Sequence, residues 1–364
     1  MTSEENNGSA TEANRAEQPA PPAEPRTYSF FVVACTAVVY ITVSVGLICF
    51  NKVLMSKDRF PQPLALVTLH MGTGFIGTVI LRLIRPSFFP TWHVLTDSPG
   101  STILRMFPIS VCCAVSFVLS NAAFIYVSVA LLQMLKEFNV VAGYFVSLAV
   151  GLAVWNWRLA LVLVMVAGFT CGAVQGDVSF VWIGVIMQLI GQVFQIGQLI
   201  LMNYYLSADA GANASKKLDQ FTLLFVITPF AFLLLGVTQA FRWESVIWTQ
   251  FTNQWPLLVG NCVMAFGLNI IVTTFLQMSS AVTMMLLGIL KDIFLIFGSA
   301  IFFNDALATV TIICFLISMV LILFHGVMKM YLKDFDNGFI AGIKAVWYQF
   351  SSLTDISSFK ILNY

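Results

Sequence analysis

The sequence predicts an all-α membrane protein in which ten transmembrane helices form two inverted five-helix repeats. Three observations carry this prediction: the composition, the number of long apolar runs, and two lysines buried at matching places in the two halves. Hydrophobic residues make up 59% of the 364 and charged residues 10%, whereas a soluble globular domain carries about 25% charged residues. Ten runs, near 28–50, 62–84, 104–126, 128–151, 158–176, 179–206, 219–240, 254–276, 280–303 and 307–328, can each supply the roughly 20 residues that cross a bilayer core. Lys136 and Lys291 stand inside two of them, 155 residues apart, and each is followed by an acid, Glu137 or Asp292. Asn51 precedes the first lysine by 85 residues and Asn203 precedes the second by 88. Five is an odd number, so a duplicated five-span unit enters the membrane the second time in the opposite sense.

Residues 1–27 are acidic, rich in Pro, Ala and Asn, and empty of large apolar groups; such a segment cannot bury enough surface to fold alone, and a disordered tail is expected. The first apolar run is of full length with no small-residue cleavage site, so it is expected to stay as a span. The first repeat is placed at 28–176 and the second at 177–328, joined at the short acidic turn Gly176-Asp177. The connections Tyr126 to Ser128 and Gln277 to Ser280 are short and uncharged, which packs the fourth and ninth spans directly against their predecessors. Residues 329–364 mix aromatics and lysines without a span-length run; this tail either lies as an amphipathic piece at the membrane face or is disordered.

With an even number of spans both termini share a side. Twelve Lys and Arg residues fall on that side and four on the other, which places the termini in the cytosol by the positive-inside rule. The seven cysteines all fall inside predicted spans without ligand spacing and read as small core residues.

A charge at the bilayer centre costs about 2.5 kcal/mol or more, so an intramembrane lysine is expected to face a wet cavity or a bound ion. Lys136 and Lys291 are therefore the first candidates for holding a transported anion. Neighbouring helix positions point about 100° apart, which argues against Lys136 pairing with Glu137 or Lys291 with Asp292; the acids are left between proton or pairing groups and supporting partners of the lysines. Gln188, Gln192, Gln195 and Gln198 fall within about 120° on one face of the sixth span; they either line a polar path or join helices by hydrogen bonds. Asn261, Asn269, Thr273 and Gln277 mark the eighth span, and Ser120, Asn121, Tyr126 and Gln133 their first-half counterparts. His70, His93 and His325 are scattered. No Walker loop, metal-ligand set or nucleophile–base pair stands out, so no cofactor, no metal and no enzymatic activity are expected, nor is nucleic-acid binding.

At these residues the chain resembles the triose-phosphate/nucleotide-sugar transporter family of the drug/metabolite transporter superfamily. The matching pieces are FNKVLM (50–55), SNAAFIYVSVALLQMLKEF (120–138), KLDQFTLLFVITP (217–229) and SSAVTMMLLGILKD (279–292). The resemblance implies helices around a central cavity and exchange of a nucleotide sugar for a nucleoside monophosphate, or of a small organic phosphate for phosphate. Lys136 and Lys291 match the family's substrate-binding lysines. Plastid triose-phosphate exchangers resemble one another in a Lys-Arg pair where this chain has Lys291-Asp292, which favours the nucleotide-sugar reading. The expected protein is thus an antiporter of the Golgi or ER membrane, its partners an anionic sugar, a counter-substrate and the lipid bilayer. Lys136 and Lys291 are expected to bind substrate with Asn121, Tyr126, Gln133, Gln188, Gln192, Gln195, Gln198 and Asn269. Oligomeric state is not readable, and a homodimer stays open, as does a non-transporting accessory role.

Overall fold

In the computed structural model the described residues are 29–97, 99–151, 153–175, 181–208, 218–278, 281–303, 308–335 and 338–353. The tail at 1–27, the linking turn at 176–177 and the loop that contains Asn213 lie outside them. Among the described residues every regular element is helical. The ten long helices are α1 (Phe30–Leu54), α2 (Pro63–Ile84), α3 (Pro99–Ala123), α4 (Val129–Ala149), α5 (Trp157–Gln175), α6 (Trp182–Ala208), α7 (Gln220–Phe241), α8 (Ser245–Met278), α9 (Ala281–Phe303) and α10 (Thr309–Met330), and α11 (Phe339–Leu353) follows. Over their described residues, α1 to α4, α6 to α8 and α10 are each long and apolar enough to cross a membrane. Large apolar side chains cover the outer surface, among them Phe31, Leu104, Phe241 and Ile301, as expected of a multi-pass integral membrane protein whose solvent on that side is lipid.

Local sequence sets where the helices start. Ser128 caps α4 by accepting a hydrogen bond from Leu131 N at 3.1 Å, so the chain turns within a few residues of the end of α3. Asp219 caps α7 through Phe221 N at 3.1 Å and Thr222 N at 3.0 Å. The same carboxylate accepts from Thr91 Oγ1 at 2.5 Å and Thr91 N at 3.2 Å, which ties α7 to the α2–α3 connection. Burial would raise the Asp219 carboxyl, but the hydrogen bonds from Thr222 and Thr91 outweigh it and hold the group below its ordinary value. Asp219 lies just outside the apolar stretch of α7 that begins at Gln220.

Two expectations need correction, and one left between alternatives is narrowed. Helix α8 starts at Ser245 and not near residue 254: its first turns carry Thr249, Gln250, Thr252, Asn253 and Gln254, which lower hydropathy without opposing a helix. Exposed Trp248 and Trp255 flank this stretch, as aromatic residues do at a membrane interface. Of the two alternatives for the segment after α10, the described residues fit the ordered one: α11 is helical and Phe335 is buried against Phe324 and the face of Gly342. Of the cysteines, Cys113 and Cys262 are buried while Cys35 and Cys171 stand on the outer surface, so a small side chain there faces lipid and not the core.

Helix packing follows a definite scheme. α3 packs on α6 and α7, α8 on α1 and α2, α2 on α7, α5 on α10, and α4 on α5, α6 and α9. The largest apolar cluster joins the end of α1, the loop after it and the α3–α4 turn, through Leu54, Met55, Phe60, Leu66, Ala123 and Val127. Glycine permits one close approach here: a Cβ on Gly184 of α6 would lie 2.8 Å from Tyr126 Cβ and 2.9 Å from a Val127 methyl.

Candidate functional site

A cavity of about 670 Å³ opens among eight helices, α1 to α4 and α6 to α9. Lys136 of α4 and Lys291 of α9 both line it, together with Asn121, Gln133, Gln195, Gln198 and Asn269. The remaining sequence-predicted residues lie elsewhere. Tyr126 sits exposed at the α3–α4 turn. Gln188 and Gln192 are buried in the packing of α6, and Gln192 Nε2 donates to Leu135 O at 2.6 Å. The glutamine stripe thus divides, Gln192 joining α6 to α4 while Gln195 and Gln198, a turn further along, reach the cavity.

The two lysines differ in what surrounds them. Lys291 Nζ lies 3.0 Å from Asp292 Oδ1, contrary to the expectation that sequence neighbours on a helix cannot pair. The four-carbon lysine stem bends round the helix surface far enough to close the angular gap. Gln133 Nε2 donates to the same carboxylate, so Asp292 is held from both α4 and α9. Lys136 has no hydrogen bond or ion pair among the described residues, although Lys291 and Asp292 are within electrostatic reach of it. An ammonium with no direct partner among the described residues, at the wall of a cavity inside a low-dielectric protein, is an attractive point for an anion. Glu137 turns away from the cavity, buried, with its Oε1 unpartnered among the described residues.

Amides supply much of the remaining polar wall, beside His70, Ser116, Ser120 and Thr228. Asn139 Nδ2 donates to Gln195 Oε1 at 2.8 Å, and Asn269 Nδ2 donates to Ala265 O at 3.2 Å, one turn back on α8. Asn51 joins α1 to its neighbours: it donates to Asn121 Oδ1 at 3.4 Å and accepts from Asn261 Nδ2 at 2.9 Å. Next to it, Lys52 Nζ donates to Phe124 O and Val127 O, both at 2.7 Å, satisfying carbonyls of the α3–α4 turn. Sequence reasoning passed over His70, which lines the cavity from α2. Its Nε2 lies 2.6 Å from Asn261 Oδ1. Periodicity could not flag it, since a lone histidine in an apolar run carries no spacing signal.

No family model matches the chain. A probable sugar phosphate/phosphate translocator of Arabidopsis thaliana is 30% identical over 290 residues, spanning 77% of this chain and 81% of the relative. A second probable sugar phosphate/phosphate translocator of the same plant is 28% identical over 285 residues, 77% of this chain and 82% of its own length. UDP-galactose transporter 1 of Arabidopsis thaliana is 23% identical over 302 residues, 81% of this chain and 86% of the relative.

Proposed function

Because the chain belongs to the triose-phosphate/nucleotide-sugar transporter family of the drug/metabolite transporter superfamily, we propose that it is a secondary-active antiporter that exchanges a nucleotide sugar for a nucleoside monophosphate across the Golgi or ER membrane, with both termini cytosolic. The observation that carries this reading is the placement of Lys136 and Lys291, from two different helices, on the wall of one cavity. Each ammonium can hold one phosphoryl group. Asn121, Gln133, Gln195, Gln198 and Asn269 present amides to the sugar or base, while Gln192 joins α6 to α4 and Tyr126 packs against Gly184 of α6.

Alternating access needs two halves that can rock against each other, and the packing scheme supports that arrangement. Advancing every helix by five positions turns the α3–α6 contact into α8–α1, α3–α7 into α8–α2, α4–α5 into α9–α10 and α4–α6 into α9–α1, while α2–α7, α5–α10 and α4–α9 map onto themselves. An exchange of this kind is what a two-fold axis in the membrane plane requires. On this reading the repeats are 28–176 and 177–328.

A second reading is favoured by the relatives named as sugar phosphate/phosphate translocators: the cargo is a small organic phosphate. The two are separated by purified protein in liposomes preloaded with nucleoside monophosphate or with phosphate. Import of a nucleotide sugar from a broad panel supports the first reading. Exchange of phosphate for triose phosphate or phosphoenolpyruvate, with no nucleotide sugar moved, establishes the second. For sidedness, a glycan attached at Asn213 in cells would overturn the cytosolic placement of its loop.

A further inference from the structure

Away from the lysines, a chain of hydrogen bonds runs across α3, α1, α8 and α2, and one fixed group decides its direction. The backbone carbonyl of Phe117 can only accept, and Asn121 Nδ2 lies 2.9 Å from it. Asn121 must therefore present its Oδ1 to Asn51, whose Nδ2 donates at 3.4 Å. Asn51 is left with Oδ1 toward Asn261, which donates from Nδ2 at 2.9 Å. That leaves Asn261 Oδ1 as the acceptor for His70 Nε2 at 2.6 Å. Amide flips and histidine tautomers are ordinarily open choices, but here reversing any one amide would set two acceptors or two donors face to face. The relay places the proton of the neutral imidazole on Nε2 and the lone pair on Nδ1.

No described residue engages Nδ1, and the side chain that carries it lines the cavity. Three helices thus spend their amides on fixing the state of a histidine that structural packing alone would not require to be in one tautomer. We propose that His70 is a specificity-determining residue that accepts, through Nδ1, a hydrogen bond from a hydroxyl or N–H on the uncharged half of the transported anion. The proposal rests on the carrier reading given above and adds a division of labour to it: ammonium groups of α4 and α9 meet phosphoryl oxygens, and the imidazole of α2 reads a donor on the sugar or base. An acceptor buried in a cavity rejects a ligand that has no donor to offer, because the ligand's other contacts cannot be made without leaving that lone pair dry.

The test compares wild type with His70→Phe, which keeps a ring of similar size and removes both nitrogens. UDP-galactose, glucose 6-phosphate and phosphoenolpyruvate compete for exchange in proteoliposomes; the last has neither a sugar hydroxyl nor an N–H. The expected result is an inhibition constant about tenfold higher in the variant for the two sugar compounds and changed less than about twofold for phosphoenolpyruvate. Equal weakening of all three, or of none, overturns the proposal. A second measurement stands even where the variant misfolds or none of these compounds binds: nitrogen-15 NMR of histidine-labelled wild-type protein, with three histidines to assign. The His70 signal is expected to show the Nε2–H tautomer at neutral pH; the Nδ1–H tautomer or an imidazolium overturns the assignment. A carrier that moves nothing in the panel but shows the expected tautomer sinks the cargo reading and not the relay.

Discussion

Replacing Lys52 with methionine isolates what ties the end of α1 to the α3–α4 turn beside the cavity. Methionine keeps most of the stem and removes the two bonds to Phe124 O and Val127 O, each 2.7 Å long. A hydrogen bond from a charged donor contributes about 1.5–3 kcal/mol; at a part-buried site the lower figure applies, so the pair contributes about 3 kcal/mol. Both acceptors lie beside the apolar cluster of Leu54, Met55 and Phe60, which shares Ile48 and Phe124 with the cavity lining. If alternating access opens the cavity beside this turn, the loss falls on the closed arrangement alone, and about 3 kcal/mol moves the balance toward the opened one by roughly a hundredfold. The assay uses a single-cysteine protein that retains Cys113, which is buried and lines the cavity, and a membrane-impermeant maleimide added from the side of the α1–α2 loop. Lys52→Met should raise the labelling rate at least about tenfold, a fraction of the full shift that slow probe entry would still reveal. An unchanged rate with an unchanged melting temperature would refute the reasoning.

Three further outcomes follow from the same geometry. Lys291→Ala should abolish exchange in proteoliposomes while the melting temperature stays close to wild type; severe misfolding would instead assign the Lys291–Asp292 pair to packing. Asp219→Ala should cost about 1 kcal/mol as a lost cap and Asp219→Asn much less. Because the folded Asp219 carboxyl is held below its ordinary value, its contribution is complete above the ordinary aspartate range and is lost as pH falls through the lowered value. Wild type should accordingly lose its melting advantage over Asp219→Asn below about pH 4, and parallel pH profiles would count against the cap. Gly184→Ala should destabilise by about 1–3 kcal/mol through overpacking against Tyr126 and Val127, measured by thermal melting in detergent; a neutral outcome would show that the α3–α4 turn yields.

The helices were the most legible part of this chain because a bilayer imposes one requirement on every span, a run of apolar residues of fixed length. Nine of the ten long helices lie within about five residues of the apolar runs at both ends, and α8 departs where Thr249 to Gln254 continue the helix beyond the apolar core. Lys136 and Lys291 were visible for the complementary reason, that charge inside such a run is costly. The glutamines of α6 show the limit of this reasoning. All four lie on one face by helical geometry, but Gln192 meets Leu135 O while Gln195 meets Asn139. Whether an amide faces a neighbouring helix or a cavity depends on how closely that neighbour approaches along the helix, which no periodicity records.

His70 and Lys52 mark the same boundary from the other side. The sequence by itself determined that this is a polytopic helical membrane protein with two lysines, Lys136 and Lys291, inside apolar runs, since hydropathy and charge are local properties that a bilayer reads directly. Only the tertiary structure decided that Lys291 is paired while Lys136 has no direct partner among the described residues, that Asn51 and Lys52 bind α1 to its neighbours, and that a histidine belongs to the cavity. These facts depend on which helices lie side by side, and hydrogen-bond direction passes from one to the next through space and not along the chain.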